Sequence, residues 1–107
     1  IPVSGQDGDH AALNRVARGT QLVSVWKDAR QLGAAAGNIA AALASGVAMS
    51  DIDGAVKWSG GANGVEMDAI FLAPTPVSAD NINVVIEAGH IAKDKVCEGA
   101  TAGVNGC

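Results

Sequence analysis

Apolar and polar positions along the chain change period several times, and each change predicts an element. "IPVSG" is a short apolar run closed by Gly5 and predicts a buried strand. "GDHAALNRVARG" predicts a helix: Leu13, Val16 and Ala17 share one face, Asp9 stands at the N-cap and Gly19 at the C-cap. "TQLVSVW" is rich in β-branched residues and predicts a strand. Asp28 then caps a second helix through "ARQLGAAAGNIAAALASG", with Leu32, Ala36, Ile39, Ala40 and Leu43 at helical spacing and Gly46 at its end. Gly33 and Gly37 each weaken that helix by about 1 kcal/mol relative to Ala, a loss expected where a neighbour packs very close. Residues 47–64 read as irregular, with "WSGGANG" a turn-rich loop. "VEMDAIFLAPTPV" opens on alternation and becomes an apolar strand, whose regular pairing ends at Pro74 and Pro76. "SADNINVVIEAGHI" predicts a short helix capped by Ser78 or Asp80, and "AKDKVCEG" a last helical turn before a Gly-rich tail.

Strand, helix, strand, helix, strand, helix predicts an α/β fold with mostly parallel strands. Three strands make a thin sheet, and parallel sheets want helices on both faces. The chain also opens directly on a strand. These features together lead to the expectation of a piece of a larger protein, unstable or oligomeric by itself.

The length, 107 residues, bounds the chain to one small domain at most. Hydrophobic residues make up 49%, mostly Ala, Val, Ile and Leu, as suits helices packed on a buried sheet. The net charge is −4, and the seven Lys and Arg are scattered, which argues against nucleic-acid binding. No apolar run approaches the roughly 20 residues of a membrane span. No secretory signal is visible, as in the mature form of a secreted protein. Cys97 and Cys107 flank the loop-former "EGATAGVNG". A disulfide between them, the expectation over two free thiols, tethers an end that otherwise frays and favours an oxidising compartment.

The candidate chemistry begins with Asp7, Asp9 and His10. A metal site needs three or four convergent ligands, and the oxygen ligands of a calcium loop are replaced here by Ala11, Leu13 and Val16. A catalytic acid–base pair needs a cleft and matched pKa values. The plainest alternative is a helix cap with solvated neighbours. In a fourth reading Asp7 stands apart, just past a strand end and before a helix, where open α/β sheets bind ligands. A carboxylate there accepts hydrogen bonds from paired hydroxyls. Lys27 ends the next strand, so parallel neighbours bring both charges to one sheet edge; alone it reads as an exposed lysine near a helix start. Trp26 points to the other face by strand alternation, as core or as a sugar contact if the chain bends.

"PVSGQDGDHAALNRVARGTQLVSVWK" resembles the C-terminal part of bacterial periplasmic pentose-binding proteins, especially D-xylose binders. These are the solute-binding components of ABC sugar importers, with the type I periplasmic-binding-protein fold. "SGQD", "GTQ" and the aromatic-Lys ending match in order and spacing, and the likeness continues through "AGNIAAALASG" and "LAPTPVSADNINVVIEAGHI". It implies that Asp7 and Lys27 hydrogen-bond sugar hydroxyls, with Gln6 flanking and Trp26 nearby. It implies a partial fold: residues 1–27 in the C-terminal lobe, 28–75 in the N-terminal lobe, and 76–107 returning across a hinge near Ala73–Val77 to the C-terminal lobe and its tail. A complete member carries an upstream half with further sugar contacts. The segment "VKWSGGANGVEMD" and the Cys97/Cys107 tail depart from the best-known xylose binders.

The resemblance implies capture of a monosaccharide, xylose or a related pentose, without catalysis, cofactor or metal. The partners would be an ABC permease and the missing N-terminal portion. The location would be the periplasm, or a lipid-anchored extracellular position in a Gram-positive host. The alternative of the same fold is a sugar-sensing domain of a repressor or kinase-linked sensor. A hydrolytic site of Asp7, Asp9 and His10 is the enzymatic reading.

Overall fold

The first helix starts where its capping chemistry places it. Asp9 is extended (φ −65°, ψ 156°), and its carboxylate accepts the Ala12 N–H at 2.9 Å. That begins α1, His10–Ala17. Arg18 ends it, and Gly19 follows at φ +74°. The Gly19 and Thr20 N–H groups return to the carbonyls of Val16 and Arg15, the paired closure that a left-handed residue permits.

The computed structural model describes residues 1–107, which divide into two units, Ile1–Asp28 with Pro74–Cys107, and Ala29–Ala73. In the first unit, β1 (Ser4–Asp7), β2 (Val23–Trp26) and a later strand, Thr75–Val77, form a sheet with β2 in the centre. β1 runs parallel to β2, with Ser4 opposite Val23 and Asp7 opposite Trp26. Thr75–Val77 runs antiparallel to β2, with Val25 opposite Pro76. Along β2, Ser24 and Trp26 are buried while Val23 and Val25 are half-buried, the period-2 alternation of a strand with one face on the core. Leu13, Val16 and Ala17 of α1 meet Trp26, Val77, Ile82, Val85, Ile91, Val96 and Val104 in one core.

The second unit holds α2 (Ala29–Ala44), a single 3-10 turn at Met49–Asp51, and a hairpin of β3 (Val56–Trp58) with β4 (Met67–Ala69). In chain order Thr75–Val77 is therefore β5, followed by α3 (Asn83–Glu87) and α4 (Lys93–Val96). Across the hairpin, Lys57 Nζ lies 2.8 Å from Asp68 Oδ1. The hydrogen bond and the charge of Asp68 hold the Lys57 ammonium above its ordinary pKa.

Several expectations are corrected. The three-stranded sheet is mixed and the β3–β4 sheet antiparallel, rather than mostly parallel, since only β1 and β2 pair in parallel. The first strand runs to Asp7 rather than stopping at Gly5, and it is largely exposed because it lies at the sheet edge. The region expected to be irregular contains β3, whose three residues pair in register with β4, Val56 opposite Ala69 and Trp58 opposite Met67. The apolar strand before Pro74 breaks after Ala69, and Pro76 lies inside β5 rather than ending pairing. β5 is an edge strand, where every second N–H points away from its neighbour, so proline is tolerated. Neither Ser78 nor Asp80 caps α3, which starts after Ile82 without a side-chain cap. Those residues form a preceding turn instead: the Asn81 carboxamide oxygen accepts the Ser78 N–H at 2.7 Å, and the Ser78 hydroxyl accepts the Asp80 N–H. Nothing packs close to Gly33 or Gly37, and α2 has no buried residue.

Cys97 and Cys107 are joined by a disulfide, as expected. The tail it closes is docked against the unit through several contacts. Val104 is buried, the Thr101 N–H donates to the Ala17 carbonyl, and the Asn105 N–H donates to the Ala79 carbonyl. No helix is long and apolar enough to cross a membrane.

Candidate functional site

The site lies within the first unit, at the C-terminal ends of β1 and β2. Parallel register places Asp7 opposite Trp26, so the residue after Trp26 reaches the same edge. There Lys27 Nζ stands 2.7 Å from Asp7 Oδ1 and donates to Gln6 Oε1 at 3.2 Å. The Asp7 and Lys27 side chains are 73% and 44% exposed, and an ion pair so open to water contributes at most about 1 kcal/mol.

The backbone at Asp7 is unusual. Its φ is +78°, the one positive value outside glycine. A left-handed conformation costs a residue with a Cβ about 1–2 kcal/mol. The ion pair hardly offsets that cost, so the turn is held by its surroundings. Gly8 follows at φ +63° and is buried. Its N–H donates to Ser24 Oγ at 3.2 Å, and the Ser24 hydroxyl donates in turn to the Gln6 carbonyl at 3.4 Å. Its carbonyl accepts from His90 Nε2 at 2.7 Å. Its α-carbon lies so close to Trp26 that an added Cβ would stand 2.7 Å from the ring. Strain of this kind, maintained by neighbours, clusters at functional sites.

The structure brings Gln6, Asp7 and Lys27 together and places Trp26 beneath them in the core, 7% exposed. The Trp26 ring meets His90 with centroids 5.1 Å apart. Its indole N–H is buried without a hydrogen-bond partner. Asp9 is engaged as the helix cap. His10 Nε2 donates to the His90 carbonyl at 3.2 Å, and the His10 ring meets the His90 ring edge-on. The two imidazoles line a groove of about 490 Å³ with Asn14, Ile91, Lys95 and Glu98. No three His, Cys, Asp or Glu side chains gather as a metal centre would require.

Chemically, Asp7 only accepts hydrogen bonds, Lys27 only donates them, and the Gln6 amide does both. Side by side at a strand edge, they match vicinal hydroxyls, each of which is donor and acceptor. Sequence reasoning missed Ser24 and His90. Ser24 alternates with Trp26 along β2, a signal that was available; His90 lies 82 positions from its Gly8 partner, and nothing local announces it.

"GTQ" has a structural part. Gln21 is buried, accepts from Arg15 Nε, donates to the Val23 carbonyl two residues on, and packs against the backbone of Gly5. It thereby ties α1 to both parallel strands.

No known family profile matches the chain. The chain is 32% identical over 97 residues to the D-xylose-binding periplasmic protein of Haemophilus influenzae. The match takes in 90% of this chain but only 28% of that protein's length. The likeness supports a partial relationship to sugar-binding proteins, and the α/β architecture is compatible with part of a periplasmic-binding-protein fold.

Proposed function

We propose that this chain is the C-terminal part of a solute-binding protein that captures xylose or a related monosaccharide for import by an ABC transporter. The observation that carries the reading is the Asp7–Lys27 pair at the C-terminal ends of parallel strands, with Asp7 held in a left-handed turn. Asp7 accepts from sugar hydroxyls, while Lys27 and Gln6 contact their oxygens. No bond is made or broken. The 32% identity to a D-xylose-binding periplasmic protein supports the ligand class and a periplasmic or secreted location.

In this reading the first unit belongs to the C-terminal lobe and Ala29–Ala73 to the N-terminal lobe, whose remainder lies in the portion preceding this chain. Sugar binding favours a closed arrangement of the lobes, which the membrane permease recognises; a ligand shifts such an equilibrium by its differential affinity for the two states.

A thermal-shift screen of the full-length protein with aldopentoses and aldohexoses tests this. Sugar at about 100 times its Kd stabilises by about 2.7 kcal/mol. At the same sugar concentration Asp7→Ala cuts the stabilisation to about 1.4 kcal/mol or less, whereas Asp9→Ala lowers the starting stability by about 1 kcal/mol and retains the full shift. Absence of a shift with every aldose refutes the proposal.

A further inference from the structure

The residue that hydrogen-bonds the Gly8 carbonyl lies 82 positions further along the chain. A carbonyl only accepts, so the 2.7 Å contact between His90 Nε2 and the Gly8 carbonyl requires the proton on Nε2. The His90 carbonyl accepts in turn from His10 Nε2, which ties the segment after α3 to the start of α1. The half-buried His90 ring rests on Trp26, and Trp26 also packs against the Gly8 α-carbon. Gly8 is thus held at its N–H by Ser24, at its carbonyl by His90 and at its α-carbon by Trp26.

We infer that His90 is a positioning residue of the ligand site: through the Gly8 carbonyl it holds Asp7 in the left-handed conformation that presents its carboxylate beside Lys27. The inference rests on the sugar-binding reading for its consequence, but not for its geometry. His90 itself need not touch the ligand. Without its hydrogen bond the strained turn relaxes towards conformers that direct Asp7 elsewhere, and affinity falls in proportion to the competent fraction.

The test compares His90→Phe, which keeps an aromatic ring on Trp26 but lacks the donor, with His90→Gln, which keeps a donor. D-Xylose is titrated calorimetrically into the full-length protein and both variants, with Asp7→Ala alongside. His90→Phe is expected to weaken binding about three- to tenfold, the equivalent of one net hydrogen bond, and His90→Gln to recover most of the loss. Wild-type affinity in His90→Phe, with binding weakened about tenfold or more in Asp7→Ala, overturns the positioning role and leaves the sugar site standing. Failure of His90→Gln to recover affinity, in a folded variant, also overturns it.

A ligand-free measurement decides the geometry even if xylose is not bound or a variant does not fold. Long-range ¹H–¹⁵N spectra of the wild-type protein are expected to show the neutral His90 ring protonated on Nε2. The proton on Nδ1 overturns the inference.

Discussion

Replacing Gly8 by Ala tests how tightly the turn beneath Asp7 is enclosed. Two effects add. Gly8 has φ +63°, where an Ala side chain costs about 1–2 kcal/mol, partly offset by the smaller entropy of the unfolded Ala variant. The new Cβ would also stand 2.7 Å from Trp26 Cδ1 and 2.8 Å from Trp26 Cβ. Because the Trp26 Cβ is itself so close, rotating the ring cannot relieve the overlap, and overpacking of this kind costs about 1–3 kcal/mol. The expected loss is about 2–4 kcal/mol. Gly19→Ala separates the effects: its φ is +74°, but its Cβ would meet only Thr101 Cγ2 at 3.7 Å, an ordinary contact. That variant should lose only about 1 kcal/mol. Equilibrium urea denaturation of the full-length protein and both variants, with unchanged m-values, gives the two losses. Equal losses would show that Gly8 is not enclosed by Trp26 and would refute the reasoning. Sugar affinity should fall in Gly8→Ala and remain in Gly19→Ala.

Removing the disulfide with Cys97→Ser and Cys107→Ser should destabilise the first unit by about 2.7 kcal/mol, from the chain entropy of its 10-residue loop; denaturation under non-reducing conditions checks it, and a loss below about 0.5 kcal/mol would mean that the docked tail does not need the bond. The Lys57–Asp68 pair sets a pH effect at the alkaline end. Lys57 has a raised pKa, so its contribution is fully present below the ordinary lysine value of 10.5 and is lost as pH rises through the higher folded value. An NMR titration of Lys57 should show its midpoint falling in Asp68→Asn, and an unmoved midpoint would contradict the hairpin geometry.

The sequence revealed α1 almost completely, because its signals are local: Asp9 caps, Leu13, Val16 and Ala17 face inward, and Gly19 takes the left-handed closing position. Asp7 and Lys27 were legible as a pair because parallel strands with a short helical crossover bring successive strand ends to one edge. The mixed sheet was not, since the direction of β5 depends on how the chain returns to β2 and not on any residue in Thr75–Val77. Val56–Trp58 is too short for alternation to register, so its strand is defined only by pairing with β4. The left-handed Asp7 and its His90 support were hidden for the same reason: both arise from tertiary neighbours. Trp26 followed its alternation into the core, and the chain does not bend to expose it.

The most direct measurement is calorimetric titration of D-xylose into the full-length protein, with wild type, Asp7→Ala and Lys27→Met compared. Saturable binding of one sugar per protein is expected. Each variant should weaken it by about tenfold or more, the scale of a hydrogen bond to a charged group. Unchanged xylose affinity in both variants would contradict the claim that this pair holds the ligand.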